Sequence, residues 1–129
     1  METYPEYPPH RLGRKGEILA ARILESRGWR ILARNYRAGR REIDVVAQRD
    51  GLVAFVEVKT RGGDGFGSPQ AAVTLFKRRE IEAVAVDFLA RHVRDDLDVR
   101  FDVVAIRTGP SGSVVTVEHI EDAWRPGWT

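Results

Sequence analysis

The chain has 129 residues, a formal net charge of +2 and no cysteine, which excludes disulfides and thiol chemistry and leaves enough length for one domain with its own core. No apolar run approaches the roughly 18 residues of a membrane span. METYPEYPPHR has no apolar stretch of the secretory kind, so a cytoplasmic location is expected. The charge is unevenly spread: residues 10–41 carry a balance of +8 and residues 42–129 one of −4, the asymmetry of a chain whose first third meets a polyanion.

In chain order, residues 1–11 with their three prolines are expected to form a flexible arm, residues 12–120 a single domain and residues 121–129 a tail. Leu12–Arg27 reads as a helix with Leu19, Ala20, Ile23 and Leu24 as its apolar stripe, stopped by Gly28. Gly13 and Gly16 weaken that helix, which points to a close backbone approach or a frayed first turn. Trp29–Tyr36 is a strand, and Arg37–Arg40 turns it into a hairpin of Arg41–Gln48 and Leu52–Thr60 closed at Asp50-Gly51. RGGDGFGSPQ follows, matching neither a Walker loop nor a dinucleotide fingerprint. Ala72–His92 is a second helix, begun at Thr74 or Ser68-Pro69, with Lys77, Arg78 and Arg79 in its early turns. Arg100–Arg107 and Val114–His119 make a second hairpin. The order αβββαββ implies an α/β fold with a mixed central sheet flanked by helices.

The stretch Arg41–Arg61 carries the chemistry. With a two-residue turn, opposed positions sum to 101, which sets Asp44 opposite Glu57 and Glu42 opposite Lys59. Alternation then sends these four to one face, and Ile43, Val45, Val56 and Val58 to the other. Two carboxylates facing each other between valines repel unless a cation or a shared proton lies between them. A hard divalent ion such as Mg²⁺ or Mn²⁺ suits oxygen ligands of this kind, and Glu17 reaches the same place if the first helix packs beside the hairpin. Lys59 has the wrong charge for a ligand, yet it lies on the same face. The competing reading is a surface hairpin with a Glu42–Lys59 pair. His10, His92 and His119 lack zinc spacing. Arg14, Lys15, Arg34, Arg37, Arg40, Arg41, Arg61 and Lys77 are the candidate phosphate contacts.

Asp44 followed after twelve residues by Glu57-Val58-Lys59 resembles the Asp…Glu-x-Lys core of the PD-(D/E)xK nucleases. Glu17 stands where their archaeal Holliday-junction resolvase branch carries a helix-borne glutamate. GRKGEILAARILESRGWRILARNYR followed by EIDVVAQRDGLVAFVEVKTR is similar to the YraN-like family of small bacterial proteins. That resemblance implies a restriction-endonuclease-like core, with Glu17, Asp44 and Glu57 as metal ligands and Lys59 as catalytic lysine. It also implies DNA, branched or otherwise structured, as substrate, and for the resolvase branch a homodimer. Two residues depart from the pattern: Ile43 in place of the nominal proline, and Arg41 where glycine is usual. The alternative is a nucleic-acid-binding protein that keeps the fold with little or no turnover.

Overall fold

The structure, a computed structural model, describes residues 9–62, 68, 71–94 and 96–127. Its elements are α1 (Pro9–Ser26), β1 (Arg30–Ala38), β2 (Arg41–Arg49), β3 (Leu52–Gly62), α2 (Leu75–His92), β4 (Asp98–Thr108) and β5 (Val114–Trp124). The five strands form one sheet in the order β1-β2-β3-β4-β5, antiparallel except for the parallel pair β3–β4 that α2 connects. This is the expected αβββαββ mixed-sheet fold, and among the described residues no helix is long and apolar enough to cross a membrane.

The sheet has a core on each face. Against α2 pack Ile43, Val46, Val53, Phe55, Phe101 and Val103 of the sheet, with Ile81, Val84 and Phe88 of the helix. Against α1 pack Val45, Ala47, Ala54, Val56, Val104 and Ile106, with Ala20 and Leu24 of the helix. Neighbouring residues of β3 go to opposite cores, so the two helices cover opposite faces, a choice that the apolar stripes alone left open.

Local chemistry fixes the element ends. Gly28 takes φ 92°, and the Trp29 N–H donates to the Leu24 carbonyl at 3.0 Å, closing α1. Thr74 caps α2 by accepting from the Lys77 N–H at 3.2 Å. The β2–β3 turn has the two expected loop residues, with Arg49 facing Leu52. Its left-handed residue is Asp50 (φ 52°) rather than Gly51.

The two ends of the domain and the glycine-rich stretch differ most from expectation. Residues 9–11 form the first turn of α1, while residues 1–8 of the expected arm lie outside the described residues. The glycine-rich stretch is partly strand, since β3 runs to Gly62, and residues 63–67 lie outside the description. Residues 121–124 are not tail: β5 continues through them, and Trp124 is buried on Phe101 with ring centroids 5.2 Å apart. Stacking on a core phenylalanine holds an end that composition alone read as loose.

Candidate functional site

β2 and β3 hold the expected register from Arg49–Leu52 up to Val45–Val56, and there their pairing ends. Asp44 and Glu57 would be the next pair, and they are not bonded across the ladder. Instead the Asp44 side chain enters the gap, its Oδ2 accepting the Val58 backbone N–H at 2.8 Å. The carboxylate thus satisfies a donor that the missing ladder bond would have left unpaired. The strands separate at the residues that the sequence singled out.

The neighbouring strand is irregular at the same level. Asn35 of β1 has φ 52°, and the β1–β2 register passes from Arg34–Val45 to Tyr36–Ile43 without pairing Asn35 to Asp44. Across this irregularity the alternation changes phase: Ile43 faces the α2 core with Val46, whereas Val45 faces the α1 core with Val56 and Val58. Ile43 therefore does not share a face with the three valines, as strict alternation requires. Backbone irregularities of this kind re-aim a side chain, and here the side chain is that of Asp44.

Glu17 arrives from α1. That helix lies so close to β3 that a Cβ on Gly16 would stand 2.6 Å from Thr60 Oγ1. The close approach that Gly16 hinted at is what brings the next residue, Glu17, to Asp44. Burial first, then the negative charge and hydrogen-bonding carboxylate of Asp44, raise the Glu17 pKa from 4.5 to about 7. Glu57 is buried, its side chain 4% exposed, and burial followed by Asp44 raises it from 4.5 to about 8. Lys59 Nζ and Lys77 Nζ stand 3.8 and 3.9 Å from Glu57 Oε2 and act against that rise.

The expected Glu42–Lys59 pair does not form. With β2 and β3 apart, Glu42 instead accepts from Arg37 Nε at 3.2 Å, and Lys59 turns to Glu57. The Asn35 amide faces two carboxylates, which assigns its nitrogen to that side; so oriented, it donates to Glu17 Oε2 at 2.6 Å and to Glu42 Oε1 at 3.0 Å. Sequence reasoning gave Asn35 no role. Its signal was that it is the chain's one asparagine, in a strand, and asparagine tolerates left-handed φ.

Several candidate phosphate contacts gather around this opening. Arg37, Arg40 and Arg41 are exposed at the β1–β2 turn, beside the end of β3 that carries Lys59 and exposed Arg61. Lys77 comes to the same end from the first turn of α2. Lys15 precedes Gly16 on α1, and Arg34 is exposed in mid-strand opposite Val45, further from the opening. The side chain of Arg14 lies outside the described residues.

The donors fit a hard divalent ion in kind: carboxylate oxygens, two of them holding protons that a cation would displace. They do not form a ready-made cage. Among the described residues no three acidic or imidazole groups converge closely enough to hold a metal, because Glu17 and Glu57 each approach Asp44 pairwise. Lys59 and Lys77 provide the positive charge in its place.

The chain is 47% identical over 120 residues to a UPF0102 protein of Prosthecochloris aestuarii, a match covering 90% of this chain and 94% of the relative. It is 43% identical over 119 residues to a UPF0102 protein of Chloroherpeton thalassium, covering 88% and 92%. Among solved structures it is similar to that titled "The structure of Pyrococcus Furiosus SfsA in complex with Ca2+", at 16% identity and a TM-score of 0.36. The match covers 87% of this chain and 63% of that one, a likeness too slight to carry inference. Residues 16–106 match the profile of the family described as "Uncharacterised protein family UPF0102", and the chain belongs to that family.

Proposed function

We propose that the protein is a Mg²⁺- or Mn²⁺-dependent nuclease that hydrolyses phosphodiester bonds in DNA, with branched or otherwise structured DNA as its target. The observation that carries this reading is Asp44 between two carboxyls, the buried one of Glu57 and that of Glu17, where the pairing of β2 and β3 ends and Lys59 and Lys77 face Glu57. Buried carboxylates repelling one another are costly to fold and useful to a site that takes up a cation. The order Glu17, Asp44, Glu57-Val58-Lys59 also resembles the PD-(D/E)xK pattern.

Glu17, Asp44 and Glu57 would hold the ion, which supplies Lewis acidity and a more acidic bound water. Asp44 is held in place by the Val58 N–H, and Glu57 by its burial. Lys59 stands 3.8 Å from Glu57 and is poised to stabilise negative charge developing on the phosphate or to orient the attacking water. Lys77 offers a second ammonium from the other side of the opening. Arg37, Arg40, Arg41 and Arg61 would bind flanking phosphates. Cutting both strands of a junction requires two such sites, hence two copies of the chain.

One observation favours a second reading, a binding protein with little turnover: two ammonium groups already stand where a cation beside Glu57 would supply positive charge. Purified protein incubated with linear, nicked and four-way-junction DNA, with Mn²⁺ and with EDTA, separates the two. Mn²⁺-dependent cleavage that falls by about 10²–10³ in Lys59→Ala while DNA binding persists is the expected result. Binding without cleavage on every substrate favours the second reading, and cleavage at wild-type rate in Lys59→Ala removes Lys59 from the chemistry.

A further inference from the structure

We propose that Asn35 is a positioning residue that fixes the Glu17 carboxylate for a divalent ion, an inference that rests on the metal-site reading above. Two features of Asn35 converge. Its backbone, at φ 52°, lies across from the point in β2 where the alternation changes phase and Asp44 turns to the Val58 N–H. Its side-chain amide spans Glu17 Oε2 and Glu42 Oε1 at 2.6 and 3.0 Å. Glycine would take that backbone conformation with less strain. What glycine lacks is the pair of N–H donors, and both are used on carboxylates.

The tether continues into the hairpin. Glu42 is held on its far side by Arg37 at 3.2 Å, so the line Arg37–Glu42–Asn35–Glu17 ties the helix-borne carboxylate to the β1–β2 hairpin. Glu17 is the candidate ligand that comes from another element, and α1 meets the sheet here at Gly16 and Thr60. A side chain as long as glutamate has rotamers that point away from Asp44, and the Asn35 amide selects the one that does not. Such outer hydrogen bonds to a ligating carboxylate set its orientation, and their loss typically weakens metal binding about 10–100-fold.

Asn35→Gly keeps the left-handed backbone and removes the amide, and Asn35→Asp keeps the backbone tolerance and replaces the donors with an acceptor. Mn²⁺ titration by calorimetry, on the free protein and on its complex with junction DNA, is expected to show about 10–100-fold weaker binding in both variants. Metal-free melting of Asn35→Gly should stay near that of the wild type, which separates positioning from folding. A readout without metal is the Asn35 side-chain amide in ¹⁵N spectra of the wild type, expected to move on Glu17→Gln. Wild-type Mn²⁺ affinity in Asn35→Gly, or an Asn35 amide unmoved by Glu17→Gln, overturns this proposal alone. A wild type that binds no Mn²⁺ with or without DNA overturns the metal site and this proposal with it.

Discussion

Metal-free protein should lose stability as pH rises from 5 to 8, and Glu57→Gln should remove much of that loss. The Glu57 carboxyl has its pKa raised from 4.5 to about 8, by burial first and by Asp44 second, so between those values the folded state holds a proton that the unfolded state has released. Stability then falls with pH: the contribution is fully present below 4.5 and is gone once the pH passes about 8. One proton of difference gives at most about 1.4 kcal/mol per pH unit. Between pH 5 and 8 the loss is on the order of 3 kcal/mol, less than the full shift implies because part of the titration lies outside that window. Glu17, raised to about 7 and less buried, adds a weaker loss of the same sign. Urea unfolding in EDTA at half-unit pH steps measures the slope. Glu57→Gln mimics the neutral acid, so its curve should meet that of the wild type near pH 5 and lie above it at pH 8. Mn²⁺ at about 100 times its dissociation constant should restore roughly 2.7 kcal/mol to the wild type at pH 8 and little to the mutant. A wild-type curve flat between pH 5 and 8, or a mutant with the same slope, would refute the buried, repelled carboxyl.

Gly16→Ala places a methyl 2.6 Å from Thr60 Oγ1 and should destabilise by about 1–3 kcal/mol, with Thr60→Ala restoring much of it in the double mutant by thermal melting. Asp102 is fully buried and accepts from Arg100 Nε and Nη2, the Asp122 N–H and the His119 ring. Burial alone would raise its pKa, but the bonds from His119 and Arg100 outweigh that and hold it below its usual 3.8, so its stabilisation is present above that value and is lost as pH falls through the lowered one. Asp102→Ala, which strands these donors, should cost about 3–5 kcal/mol in chemical unfolding. Replacing Arg37 and Arg40 with alanine should flatten the salt dependence of DNA binding by about one to two units of slope, read by titration across salt concentrations. An unchanged slope would place the DNA footprint elsewhere.

The sequence by itself determined the elements, their order and the hairpin register, because these depend on local signals: periodic apolar positions, Gly28 after a helix, and Asp50-Gly51 between β-branched runs. It also singled out Asp44 and Glu57, since carboxylates set among valines are conspicuous at the level of pattern, with Lys59 on the same strand face and Glu17 by resemblance to the nuclease pattern. Tertiary structure decided how those residues meet. The hairpin register placed Asp44 opposite Glu57 and Glu42 opposite Lys59, whereas the strand pairing ends at Val45–Val56, beside a change of phase at Asp44 and left-handed Asn35. A single φ angle leaves no periodic trace, so only the folded backbone shows that Asp44 bonds the Val58 N–H and that Glu42 goes to Arg37. The burial of Trp124 and of Asp102 was likewise settled at long range. A tryptophan near the end of the chain and an aspartate in an apolar strand acquire their partners, Phe101 and the Arg100–His119 pair, only when β4 and β5 lie side by side.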